Sequence, residues 1–236
     1  EGVPTTRRPR DAVPYHPPVT TVADVLASLA EVIRPETAAT WDPVGLQIGD
    51  PDAAVTNIGV CHEVTEAVVS AIEAAPVDLL VSYHPLLFAP TNRLIGGRSP
   101  VARAVRLVRS RVNLVVAHTD FDAAPGGAAD SLAEALGLSS PVPFRADEVE
   151  DMPGIGRVGG YDGSLVSLAE LVAKVLATPP RVSGDPHEPV KQVAVVPGSG
   201  SDFVDRAAAL ADVLVTGDVG HHKAVSALDA GLSVID

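Results

Sequence analysis

The chain has one cysteine, Cys61, among its 236 residues, so no disulfide can form within it and no oxidising compartment is required; the expected setting is the cytoplasm. A Cys-rich zinc site is excluded by the same count, which leaves histidine and carboxylate as the available metal ligands. Aromatic residues make up only 3% of the chain against 46% hydrophobic. The core must therefore be filled by Ala, Val and Leu in thin, closely packed layers. No apolar run reaches the roughly 18 residues that a membrane helix needs. Cations are outnumbered, with 17 Lys and Arg against 30 Asp and Glu for a formal net charge of -13. Such a surface repels a phosphate backbone, and neither nucleic acid nor a membrane is expected as a partner.

What is present is alternation. The proline-rich stretch 1–20, with Arg7, Arg8 and Arg10 and no apolar core, reads as a disordered tail. Val22, Leu26, Leu29 and Ile33 then recur at helical spacing, with Thr21 placed to cap the helix and Pro35 to end it. A Pro/Gly loop is expected over 41–51. Short apolar runs at 58–61, 79–82, 114–117, 193–196, 213–215 and 232–235 read as strands covered on both faces. Helical patterns separate them, at 66–74, 100–110, 128–136, 168–176, 203–211 and 223–230. The fold class is thus α/β, two lobes with mostly parallel sheets flanked by helices: a first lobe over 21–138, an acidic and proline-bearing linker over 139–153, and a second lobe over 154–236.

In open parallel sheets, ligands gather beyond the carboxyl ends of the strands. There this sequence is polar: the run at 79–81 passes into Ser82-Tyr83-His84-Pro85, and that at 114–116 into His118-Thr119-Asp120-Phe121-Asp122. Two imidazoles and two carboxylates delivered to one edge are of the ligand types of zinc, iron or manganese sites that activate water, with Asp120 the more natural loop residue of the two acids. Each residue taken singly is better read as capping a helix or satisfying a loop; convergence favours a site for His84 and Asp122 and leaves His118 open to either reading. His62 and Glu63, after the strand ending at Cys61, could support it. His221-His222 could line the same crevice or merely start a surface helix. Gly154-Ile155-Gly156-Arg157-Val158-Gly159 fits a dinucleotide fingerprint by letters but follows no strand, and no serine or cysteine nucleophile motif is present.

The ordered set Trp41-Asp42-Pro43-Val44-Gly45-Leu46-Gln47, Tyr83-His84-Pro85-Leu86-Leu87-Phe88, His118-Thr119-Asp120-Phe121-Asp122, Gly156-Arg157-Val158-Gly159 and Thr216-Gly217-Asp218 resembles the dinuclear-metal-centre toroid family. Its members are the GTP cyclohydrolase 1 type 2 homologues, or NGG-interacting-factor-like proteins. The resemblance covers roughly 21–236 and is to the short form, without an inserted domain. It implies a homohexameric ring, paired divalent metal sites and a nucleotide-like substrate for hydrolysis. Carried over to this sequence, it makes His84 and Asp122 metal ligands and His118 the adjacent histidine; His118 and Glu63 become the candidate bases. Tyr83 stands where the family usually has a first histidine ligand, which leaves one metal or none instead of two. The family also continues into a further His and a bridging Glu beyond the position of Asp236, so the second lobe reads as truncated. The alternative expectation is a non-catalytic metal-binding or scaffold toroid.

Overall fold

The structure, a computed structural model, describes residues 19–143 and 154–236; the expected tail up to residue 18 and the acidic part of the expected linker lie outside them. The chain opens with α1 (Val22–Ile33), whose Thr21 hydroxyl accepts from the Asp24 amide while the Asp24 carboxylate takes the Thr21 amide at 2.8 Å. That reciprocal pairing satisfies two backbone donors the first helical turn would otherwise leave open. It fixes the start of the helix at the expected position.

The first sheet is built from β1 (Gly45–Ile48), β2 (Ile58–Cys61), β3 (Leu79–Ser82) and β4 (Asn113–Val116), in the order β1-β4-β3-β2. β2, β3 and β4 run parallel and in register, Cys61 beside Ser82 and Ser82 beside Val116. Side chains alternate across the sheet. Leu79 and Val115 therefore face α1 through Val25, Leu26 and Leu29. Leu80 and Leu114 face the other side, where α2 (Glu66–Ala74) supplies Val69 and Ile72 and α3 (Pro100–Arg109) supplies Ala104 and Leu107. Each fully buried leucine contributes about 1.5–3 kcal/mol of burial.

Two short helices, α4 (Thr119–Ala123) and α5 (Ala128–Ala135), lead to the second sheet. It comprises β5 (Ser139–Pro143), β6 (Arg157–Ser164), β7 (Val182–Ser183), β8 (Pro189–Ser199), β9 (Val213–Gly217) and β10 (Ser233–Ile235), in the order β5-β6-β8-β9-β10-β7. Val193 and Val195 of β8 pack against α6 (Leu165–Leu176) and against α5 through Ala133. Ala194 and Val196 point oppositely, toward α7 (Val204–Ala208) and α8 (His221–Asp229). Parallel pairing is confined to β2, β3 and β4 and to β8, β9 and β10. The margins β1, β5, β6 and β7 are antiparallel, so the sheets are mixed.

The expected loop over 41–51 and the expected lobe boundary both change. The loop over 41–51 contains β1, held antiparallel to β4 by Gly45 opposite Val116. The linker expected from residue 139 begins with β5, and α5, assigned by sequence to the first lobe, packs into the core of the second. The Gly154–Gly159 fingerprint runs into β6, where glycine serves close packing: a Cβ at Gly159 would sit 2.9 Å from that of Leu138. Among the described residues no helix is long and apolar enough to cross a membrane.

Candidate metal centre

Because β2, β3 and β4 are parallel and in register, their carboxyl ends reach one edge together, and the residues after them meet. His62 follows β2, Tyr83 and His84 follow β3, and His118 follows β4. The Tyr83 amide donates to the Cys61 carbonyl at 3.1 Å and the His84 amide to the His62 carbonyl at 2.9 Å, extending the pairing past the strands. The Ser82 hydroxyl closes the turn on the His84 carbonyl at 2.8 Å. Asp122 arrives on α4, one turn after His118, and its amide donates to the His118 carbonyl; residues four apart share a helix face.

The rings pack closely. His62 stacks on Tyr83 with centroids 5.2 Å apart and stands 4.5 Å from His84. His118 meets Tyr83 and His84 edge-on at 5.3 and 5.5 Å. All of them, with Asp122, line a cavity of about 910 Å³, whose far wall comes from the second sheet through Pro197, Ser199 and Asp218. Trp41 and Phe88, 5.7 Å apart and both well exposed, border it.

Charge is arranged unevenly around this edge. Burial pushes the Asp122 carboxyl up to about 6, although the Tyr83 phenol, which donates to Asp122 Oδ1 at 2.6 Å, and His118 both favour its charged form. Burial and the neighbouring His62 and His118 hold His84 below the ordinary histidine range, so its ring is in the neutral form that binds metals. For His118, burial is outweighed by its hydrogen bond to Asp42 and by the acids around it, and its pKa rises. Burial, with Asp122 close by, keeps the Tyr83 phenol protonated well beyond its usual range. Tyr83 thus acts as a hydrogen-bond donor to Asp122, and a protonated phenol is a weak metal ligand.

The structure therefore gathers His84, His118, Asp122 and Tyr83 in one cavity and adds His62. Glu63 is exposed and does not line the cavity. His221 borders a small separate cleft near β7 and β10. Asp120 turns inward, its Oδ1 accepting from the His118 and Phe121 amides at 2.7 and 2.9 Å. Sequence reasoning passed over Asp42 as a site residue: its carboxylate lies under the site, 2.9 Å from His118 Nδ1. The signal was its place in the Trp41 to Gln47 motif. Gln47 ties that motif to the site from the other end, accepting from the Leu86 and Leu87 amides and donating to the Leu87 carbonyl.

The donor types suit a divalent ion, but the set is incomplete. Among the described residues, no group of three His, Cys, Asp or Glu side chains is placed to hold a metal ion unaided. A protein metal site ordinarily takes three or four ligands. Asp122 Oδ1 is moreover taken up by the Tyr83 hydroxyl.

Known proteins resemble this chain over most of its length. The chain is 29% identical over 217 residues to a GTP cyclohydrolase 1 type 2 homolog of Clostridium perfringens, covering 90% of this chain and 83% of that one. It is 32% identical over 210 residues to a homolog of the same name from Streptomyces coelicolor, covering 85% and 73%. Among solved structures, reduced HcgD from Methanocaldococcus jannaschii superposes with a TM-score of 0.81 at 28% identity, over 92% of this chain and 86% of that one. A Staphylococcus aureus hypothetical protein does so at 0.79 and 27%, over 92% and 85%. Residues 20–236 match the family described as Duf34/NIF3 (NGG1p interacting factor 3), and the chain belongs to that family.

Proposed function

We propose that this chain is a divalent-metal-dependent hydrolase acting on a nucleotide-like substrate in the cavity between its sheets. The observation that carries the reading is the convergence of His84, His118 and Asp122 on one cavity wall from two parallel strands and the helix that follows. His84 and Asp122 would hold the ion, zinc, iron or manganese by ligand type. The chemistry supplied by such an ion when bound is Lewis acidity, which makes attack by water feasible near neutral pH.

The chain's own groups do the rest. His118 reaches the cavity with one ring nitrogen engaged by Asp42, so the other is the group placed to take a proton from an attacking water. Trp41 and Phe88 offer flat apolar faces to a heterocycle at the rim. Gly198 and Ser199, small residues at the end of β8, line the far side. A homohexameric ring, by resemblance to the family, would repeat this site in each subunit.

The test is metal analysis of the protein with GTP turnover, in wild type and in His84→Ala. Near-stoichiometric metal and turnover, both lost in the variant, are expected; turnover indifferent to His84→Ala would overturn the reading. A second reading, a non-catalytic metal-binding or scaffold toroid, is favoured by one observation: Tyr83 occupies Asp122 Oδ1 with its own hydroxyl. Retained metal with no turnover of GTP, ATP or their nucleosides would select it.

A further inference from the structure

Asp42 is buried, its side chain entirely so, while the His118 side chain keeps 17% of its surface exposed. A single oxygen of Asp42, Oδ2, meets three groups from the start of α4: the Thr119 amide at 3.1 Å, the Thr119 hydroxyl at 2.5 Å and His118 Nδ1 at 2.9 Å. An oxygen already receiving an N–H and an O–H is an acceptor, so the ring nitrogen facing it must carry hydrogen. The neutral ring then has its hydrogen on Nδ1 and its lone pair on Nε2. With Nδ1 turned down to Asp42 and the ring lining the cavity, Nε2 is the nitrogen left for a ligand or a water.

We propose that Asp42 is the positioning residue of this site, holding His118 in the Nδ1–H tautomer so that its Nε2 lone pair serves as base in the cavity. This rests on the hydrolase reading for the word base, but not for the tautomer.

A purely local account covers less. Anchoring the first turn of α4 needs only the Thr119 amide, and the Thr119 hydroxyl already serves the chain elsewhere by accepting from the Ala39 amide at 3.0 Å. Asp42 Oδ1 meanwhile has no hydrogen-bond partner among the described residues. A buried carboxylate with one bare oxygen costs stability unless its other contacts are worth more. The contact an anchoring role leaves unexplained is the one across 76 residues to the His118 ring. An acid orienting a histidine through Nδ1 is a recurrent way to fix tautomer and direction together.

The experiment uses the full chain, labelled with nitrogen-15 and studied at alkaline pH where the His118 ring is neutral. Long-range proton–nitrogen correlation spectra report which ring nitrogen bears hydrogen, and the His118 signal is assigned by its disappearance in His118→Gln. Wild type should show hydrogen on Nδ1, and Asp42→Ala, which removes the acceptor facing Nδ1, should release the ring from that tautomer wholly or partly to the Nε2–H form. Asp42→Glu should keep the wild-type tautomer, and so should Asp42→Asn, whose carbonyl oxygen can still accept at the Oδ2 position. GTP turnover in Asp42→Ala should fall by about 10²–10⁴-fold, and Asp42→Glu should recover part of it. Hydrogen on Nε2 in wild type, or an unchanged tautomer in folded Asp42→Ala, overturns the proposal. If Asp42→Ala does not fold, the wild-type and Asp42→Glu spectra decide. Wild type lacking turnover but showing the Nδ1–H ring would remove the hydrolase reading and leave the hold of Asp42 on His118 standing.

Discussion

The Tyr83 hydroxyl donates to Asp122 Oδ1 at 2.6 Å, joining a residue just past β3 to one on α4. The bond satisfies a buried carboxylate internally. A short bond between phenol and carboxylate is stronger than a neutral one, so Tyr83→Phe should lower stability by about 1.5–3 kcal/mol, read from chemical denaturation. A change under 0.5 kcal/mol would show the contact to be incidental.

The same pair makes a prediction about metal. Tyr83→His replaces a protonated phenol by an imidazole, a far better ligand at neutral pH. The variant should carry more zinc or iron per chain than wild type by elemental analysis, and Tyr83→Phe should not. Equal metal in all three proteins would mean that position 83 does not govern occupancy.

Acid sensitivity should come from the start of the second sheet. Arg157 is 2% exposed and donates to Asp130 as well as to the Ala123, Gly154 and Gly156 carbonyls. The guanidinium holds the Asp130 carboxyl below its usual range. A folded pKa below the unfolded one means that the pair's stabilisation is complete above the unfolded aspartate pKa, about 3.9. It is lost as pH falls through the lower folded value. Asp130→Asn should flatten the stability profile in that window while leaving its slope above pH ~5 unchanged. An unaltered acid limb would assign the loss to other carboxylates.

Gly159 gives a test of sign. Valine prefers strands and glycine does not, so propensity alone says that Gly159→Val in β6 should stabilise. The structure says the opposite, since a Cβ there meets Leu138 Cβ at 2.9 Å and the Ser139 carbonyl at 3.2 Å. Pushing β5 from β6 should cost about 1–3 kcal/mol, measured as a lower denaturant midpoint. A raised midpoint would show that β5 yields freely.

Legibility in the sequence tracked burial on both faces. The runs at 79–81 and 213–215 read as strands because each is covered on both sides and so is apolar throughout. The marginal strands were missed because they lack that signature: β5 is Ser-Ser-Pro-Val-Pro, and β6 carries three glycines in eight residues. Their place is set by pairing with β8 and with each other, which periodicity does not record. That His84, His118 and Asp122 come together on one cavity was legible because parallel strands deliver their ends to one edge. Asp42 was not, since Asp-Pro reads as a turn and its partner lies 76 residues away. Glu63 follows His62 in sequence but is exposed and off the cavity wall, near enough only to act on His84 through its charge.

Trp41 offers a direct readout of the cavity, because it is the chain's only tryptophan. It is 46% exposed, stands 5.7 Å from Phe88 and lines the same cavity as His84 and Asp122. A heterocycle seated between these rings and the far wall would cover the indole and change its emission, with no other tryptophan to dilute the signal. Guanosine or GTP added to the protein should alter Trp41 fluorescence saturably. Phe88→Ala removes one side of the aromatic rim and should weaken that response by about 5–30-fold in Kd, as expected for loss of 1–2 kcal/mol of stacking and burial. A titration that leaves emission flat while GTP is being turned over would place the substrate away from Trp41. The ring-binding role given to this rim would then be wrong even though the histidine edge remained.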